Sequence, residues 1–304
     1  MALSYRMARP AESVKTTARG PAATCAAGLV NGSAAADAAP ARGDGTRMTP
    51  RIHFTASQAG PAQAALATLG ARYGDAPLER AQVVVALGGD GFMLQTLHAM
   101  LDRGRIIPAY GLNLGTVGFL MNRNRNPETL LKRIAKAKPH HIAPLRMEAE
   151  TQTGKTHTFC AINEVSLLRE TRQTAKLEVT VDDKVRIPEL VCDGVLVATP
   201  AGSTAYNLSA DGPILPLDSN LLALTPISPF RPRRWHGAIL PDRSRIGLRV
   251  LEHEKRPVSV VADQRELRDV ASVKLAIARD SELTLLFDPG HALDERIVAE
   301  QFVV

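Results

Sequence analysis

The chain has 304 residues, 45% of them hydrophobic, and a formal net charge of +6. That length accommodates two ordinary domains with a sizeable core, and the modest positive charge suits anionic small ligands as readily as nucleic acid. Aromatics at 4% are too few for rows of base-stacking platforms, and no apolar run is long enough to span a membrane. Three cysteines, Cys25, Cys160 and Cys192, lie far apart, with neither zinc-ligand spacing nor a disulfide framework, which fits a reducing cytosol.

Residues 1–47 are rich in Ala, Gly, Ser and Arg and carry no hydrophobic period, so a disordered tail is expected. The bias resembles a transit peptide, although Asp37, Asp44 and the Pro/Gly content argue against an amphipathic helix. The plainer alternative is a natural start at Met48, just before the first strand-like run. From there the chain alternates. Arg51 to Thr55 reads as a strand, and Ala62, Ala65, Leu66, Leu69 and Tyr73 recur at helical spacing over Pro61 to Tyr73. Val83 to Leu87 is a wholly apolar strand of the buried parallel kind. Phe92, Thr96, Leu97, Met100 and Leu101 mark a helix, Ile106 to Tyr110 a further strand, and Leu130, Leu131 and Ile134 a helix starting near Pro127. This order implies a Rossmann-like α/β domain over residues 48–143.

Beyond Pro144 the period becomes two. Leu145, Met147 and Ala149 alternate with polar residues, as do Leu177, Val179 and Val181, then Ile246, Leu248 and Val250, then Val273, Leu275 and Ile277. A β-rich, sandwich-like domain is expected over 144–288, with a C-terminal helix from Ala292 to Phe302 packing back on the first domain.

Four stretches carry chemistry. Gly88-Gly89-Asp90-Gly91 lies between the strand Val83 to Leu87 and the helix from Phe92. A strand, a glycine turn and a helix hold phosphates, because the backbone can approach closely and the helix N-terminus favours negative charge. The turn is neither GxGxxG nor a Walker A loop. Asp90 would repel an anion, but it suits a base for an attacking hydroxyl or a partner for Mg²⁺; the bland reading is a tight turn with an Asx hydrogen bond. Tyr110 to Leu120 carries Gly111, Gly115 and Gly118 at the same end of the sheet, with Phe119 either stacking on a ring or simply filling core. Asn163-Glu164 sits between apolar flanks and would satisfy a ribose diol, or else faces outward at a strand edge. Cys192 to Pro216 begins with Asp193, runs through the strand Val195 to Thr199, and breaks into Pro200-Ala201-Gly202-Ser203-Thr204-Ala205-Tyr206-Asn207, where Ser203 or Thr204 would cap a following helix. Donors, acceptors and one aromatic at a strand mouth suit a polyhydroxylated, flat-ringed ligand; a Ser/Thr-rich turn is the alternative.

In this order these four stretches resemble the NAD kinase family, from about Met48 to Phe302. Thr225 to Arg234 looks like the version in proteobacterial members, and Ala201 stands where many relatives have Thr or Ser. The resemblance implies transfer of the γ-phosphoryl group of ATP to the 2′-hydroxyl of the adenosine ribose of NAD, giving NADP. It further implies a divalent cation, usually Mg²⁺, a dinucleotide between two domains, and a cytoplasmic homodimer or homotetramer that shares part of its site. No membrane or nucleic-acid partner is implied. Carried over residue by residue, Asp90 matches the general base, with Gly88, Gly89 and Gly91 around it. Asn163 and Glu164 match the ribose and adenine side. Thr204, Ala205, Tyr206, Asn207 and Ser209 match the wall about the adenosine, and Phe119 an aromatic near the adenine. Asp193 matches a carboxylate for the nicotinamide half or a neighbouring subunit's ligand, Ser228 a subunit contribution, and Asp263-Gln264 a further substrate-side position. No metal-ligand residues are assigned. The GGDG turn also occurs in diacylglycerol and sphingosine lipid kinases, and a non-catalytic dinucleotide sensor is the other alternative.

Overall fold

A run that is apolar at every position needs cover on both faces, and residues 83–87 obtain it. The computed structural model describes residues 50–115 and 118–290. In it, β1 (Ile52–Ala56) lies parallel to β2 (Val83–Gly88), with α1 (Gly60–Tyr73) between them in sequence. Next come α2 (Asp90–Asp102), β3 (Ala109–Asn113), β4 (Asn122–Arg123), α3 (Leu130–Lys136) and β5 (Lys138–Ile142). Val83, Val85 and Leu87 pack with Ala62, Leu69, Leu130 and Ile134 of α1 and α3. Val84 and Ala86 point the other way, to Met93, Leu97 and Met100 of α2. The pleat thus sends alternate residues of β2 to two different helical layers.

The third strand departs from expectation. The sequence suggested Ile106 to Tyr110, but pairing with β2 runs from Val84↔Ala109 to Gly88↔Asn113. Pro108 has no N–H to give a ladder and contributes only its carbonyl, to Val84 N at 2.9 Å. Gly111, Leu112 and Asn113, read as loop, belong to the strand because helices bury them on both sides.

The remaining chain is strand-rich: β6 (Leu145–Thr151), β7 (Thr156–Ala161), β8 (Glu164–Arg169), β9 (Ala175–Val181), β10 (Lys184–Cys192), β11 (Gly194–Ala198), then the single turn α4 (Tyr206–Ser209), β12 (Leu221–Ile227), β13 (Ala238–Pro241), β14 (Ile246–Val250), β15 (Val258–Ala262), β16 (Arg265–Leu267), β17 (Val270–Ile277) and β18 (Leu283–Phe287). Two antiparallel sheets form, ordered β10-β9-β14-β17-β6-β7 and β13-β12-β11-β8-β15-β16. Their inward residues share one core, with Met147, Val179, Leu248 and Val273 against Leu167, Val195, Leu224 and Val260. This is the expected sandwich.

β18 does not join it. It follows the sandwich strands in sequence, yet it pairs with β3 in parallel and β5 antiparallel, giving the first sheet the order β1-β2-β3-β18-β5 with β4 also on β3. Residues 283–287, assigned by sequence to the β-rich part, therefore belong to the α/β sheet. A buried clamp pins the strand's end. Asp288 accepts from Tyr110 Oη at 2.7 Å and from Arg133 Nη2 at 2.6 Å, and Asp288 N donates to Asn122 Oδ1 at 2.8 Å. Burial works against the Asp288 carboxylate, but Arg133 and Tyr110 hold it below its usual range. The expected tail and C-terminal helix lie outside the described residues.

Candidate active site

β2 ends in Gly88, and Gly89 takes an extended conformation before α2 begins at Asp90. Beyond Gly89 and Gly91 nothing lies where a side chain would begin, so the turn faces open space. Phe92 N and Met93 N both donate to Gly89 O at 3.0 Å, which leaves the amides of Asp90 and Gly91 as those with no carbonyl one turn back. Glycine turn and helix start thus form the anion-holding geometry expected for Gly88, Gly89 and Gly91.

The Asp90 side chain does not hang free over this turn. Its Oδ2 accepts from Phe119 N at 2.5 Å and its Oδ1 from Leu120 N at 3.0 Å. A Cβ on Gly118 would overlap that carboxylate, which explains a glycine there. Each carboxylate oxygen keeps a second lone-pair site, so a proton and a cation can each still be accepted. Among the described residues no group of three or more His, Cys, Asp or Glu side chains gathers as a metal cage. Mg²⁺ in phosphoryl transfer usually takes one or two carboxylates and the donor's own phosphates, and Asp90 fits that need.

Across the interface lie Asn163 and Glu164, at the start of β8. They are brought to α2 by Ile162, which packs in the same core as Met93 and Leu97, beside Phe92 and Ala201. Asp263, with its side chain 2% exposed, holds the backbone of this stretch through Ile162 N (2.6 Å), Asn163 N (2.9 Å) and Glu164 N (3.2 Å). Thr199, which follows β11, donates from Oγ1 to Ile162 O at 2.7 Å, and its N–H donates to Asn163 O at 2.9 Å. Gly202 lies directly over Asn163, with no room for a Cβ. The two polar stretches are therefore one packed unit.

Within it Glu164 is exceptional. Its Oε2 is buried without a hydrogen-bond partner among the described residues. Burial, and then the nearby Asp263 charge, push its pKa up to about 7, against the backbone N–H of Tyr206. Tyr206 is partly buried, its phenol raised by burial and by Glu164. Thr204 and Ala205 are partly exposed beside it, and Ser209 is exposed on α4. This cluster presents a polar wall with an acceptor that lacks a donor, the situation a ligand hydroxyl or amine relieves.

Two expectations change. Asn207 is wholly buried, its Nδ2 on Ser203 O (3.2 Å) and Pro213 O (2.9 Å) and its Oδ1 accepting from Thr225 Oγ1 (2.7 Å), so it braces the loop and has no side-chain atom left for a ligand. Ser203 and Thr204 do not cap α4, which starts after Ala205 without a side-chain cap. The Ser203 hydroxyl is spent on Pro200 O and on the backbone of Leu215. Asp193 and Ser228 sit at the far end of β11, where Gly194 pairs with Ile227. At ~3.3 Å per residue, Asp193 is about 20 Å from Thr199. There Asp193 bonds Arg169 Nε at 2.5 Å, and Ser228 is exposed at φ 45°. Gln264 is exposed at the β15–β16 turn, next to the buried Asp263 side chain. One participant left no trace in the sequence: His98, on α2, donates from Nε2 to Asp263 Oδ2 at 2.7 Å.

An open α/β sheet with a glycine turn, facing a β-sandwich, defines the two-domain class seen in solved NAD(H) kinases. Yeast NADH kinase complexed with NADH superposes with a TM-score of 0.73 at 20% identity, covering 84% of this chain and 89% of that one. An NAD kinase from Archaeoglobus fulgidus in complex with ATP does so at 0.65 and 22% identity, covering 82% and 98%. The family model for the ATP-NAD kinase C-terminal domain matches residues 162–284. The chain is 65% identical over 254 residues to an NAD kinase of Rhizorhabdus wittichii, covering 84% of this chain and 98% of the relative, and 61% identical over 252 residues to one of Zymomonas mobilis, covering 83% and 97%. This chain belongs to the NAD kinase family.

Proposed function

We propose that this protein is an NAD kinase, transferring the γ-phosphoryl group of ATP to the 2′-hydroxyl of the adenosine ribose of NAD. The observation that carries the proposal is Asp90: a carboxylate fixed by two amides at the mouth of a phosphate-holding turn. Phosphoryl transfer asks the protein for alignment, charge neutralisation and a proton acceptor. In this reading the turn amides hold the donor phosphates. The ribose hydroxyl oxygen forms the new P–O bond, ADP leaves with the electrons of the broken one, and Asp90 takes the hydroxyl proton. Asp90 would also be the protein-side carboxylate for a divalent cation, Mg²⁺, which would supply charge neutralisation at the transferring group. Asn163, Glu164 and Tyr206 hold the adenosine, with Phe119, Thr204, Ala205, Ser209 and Gln264 around it.

Asp193 and Ser228, at the opposite end of the sheet, serve the site of a neighbouring subunit in a cytoplasmic homodimer or homotetramer. The separation of about 20 Å supports that assignment over a role in the chain's own adenosine pocket. Among the described residues no helix is long and apolar enough to cross a membrane.

The test is NADP formation by the purified chain with NAD, ATP and Mg²⁺, beside Asp90→Asn. Loss of at least about a hundredfold in rate with NAD binding retained is expected. Near-normal turnover in the variant would remove Asp90 from the chemistry.

A further inference from the structure

We propose that His98 is a positioning residue for phosphoryl transfer: through the Asp263 carboxylate it fixes the helix headed by Asp90 to the backbone of Asn163 and Glu164. The proposal rests on the NAD kinase reading above.

Asp263 occupies the two-residue turn between β15 and β16, at a φ of 52°. Its carboxylate gathers four partners. Three are the consecutive amides of residues 162–164, which set the backbone carrying the Asn163 and Glu164 side chains. The fourth is His98 Nε2. One carboxylate, 2% exposed, therefore touches both halves of the site, and its only partner on α2 among the described residues is an imidazole 13% exposed. Eight residues separate His98 from Asp90, about 12 Å along a rigid helix at ~1.5 Å per residue. A shift of α2 on the turn is transmitted to Asp90 along that helix.

A second bridge, Arg265 to Asp102 at 2.5 Å, lies one turn further along α2. Both its side chains are about a third exposed, so it contributes less to fixing position than the buried contact. The base heads α2 on the α/β sheet and the acceptor-holding pair opens β8 of the sandwich, so contacts across the interface set their separation. In-line transfer is sensitive to such placement, since a misplacement of about 1 Å costs about a hundredfold.

The arrangement separates alignment from binding. Removing the imidazole leaves Asp263 with its three amides, so the 162–164 backbone and the NAD wall persist. What is lost is the buried polar tie to α2, leaving the Ile162 packing and the partly exposed Arg265–Asp102 bridge. Turnover should suffer, and affinity should not.

The experiment compares wild type, His98→Ala and His98→Gln, whose longer amide can still donate to Asp263. For each, kcat and KM are measured alongside NAD Kd by direct titration and the melting temperature. His98→Ala is expected to lose roughly tenfold to a hundredfold in kcat with NAD Kd changed by no more than about twofold, and His98→Gln to recover most of the rate. Should His98→Ala not fold, His98→Asn, whose amide is too short to reach, carries the same expectation. A kcat in His98→Ala within about twofold of wild type overturns the proposal while leaving the NAD kinase reading intact. So does a loss that falls on Kd instead, or a His98→Gln as slow as His98→Ala at equal thermal stability. A wild-type chain that forms no NADP overturns the reading and this proposal together.

Discussion

Glu164 is a carboxyl whose folded environment resists its charge, and Glu164→Gln should reveal by how much. In the unfolded chain the group loses its proton near 4.5; in the folded protein it keeps it to about 7. Between those values the folded state binds more protons than the unfolded one, so stability falls as pH rises from about 4.5 to about 7, and the full penalty persists above. The difference between those two values corresponds to about 3 kcal/mol. Glutamine carries no charge, keeps an oxygen for the Tyr206 N–H, and occupies nearly the same volume. Urea unfolding of the ligand-free proteins should therefore find Glu164→Gln more stable by up to about 3 kcal/mol near pH 8, with the advantage closing towards about pH 5. Thermal melts should follow, by roughly 5 °C or more at the alkaline end. An advantage that is constant with pH, or that widens on acidification, would refute the account of Glu164 as a buried, charge-resisting group beside Asp263.

Two further substitutions test the two roles found in the Thr199 to Ser209 loop. Asn207→Ala removes the bonds to Ser203, Pro213 and Thr225 inside a closed core, and a stability loss of about 3 kcal/mol in urea is expected; under about 1 kcal/mol would mean the loop is braced elsewhere. Tyr206→Ala should raise KM for NAD with a smaller change in kcat, because it removes contacts made alike in ground and transition states. An unchanged KM would take the ring away from the dinucleotide.

Local pattern carried most of the architecture. Val83 to Leu87 had one satisfactory reading because every residue was apolar and a glycine turn followed. Leu145 to Ala149 and Leu177 to Val181 alternated cleanly because one face of each strand meets the opposing sheet and the other meets water. What local pattern lacks is the identity of the partner. β18 is a short, mostly apolar run, and nothing in Leu283 to Phe287 tells which sheet will accept it. Asn207 stood among ligand-like residues, and only the tertiary closeness of Thr225 and Pro213 makes it a brace. His98 is a single histidine on an amphipathic helix, 165 positions from the carboxylate that gives it meaning. The Asp90 turn was legible for the opposite reason: strand, turn and helix are contiguous, so the geometry is local.

The placement of β18 bears on how the molecule is made. Among the described residues synthesis delivers β1 to β5 first, then every strand of the sandwich, and last β18, the internal strand that joins β3 to β5. Until residue 287 emerges, the edge of β3 along Ala109 has no strand beside it, and β5, which reaches its sheet through β18, has no place to dock. The half bearing the glycine turn therefore cannot mature on the ribosome ahead of the half facing it. An interrupted chain retains an open sheet edge, a template for aggregation and a target for proteolysis. The turn itself is local and comes early, but the sheet that carries it is closed only after the acceptor wall has been supplied.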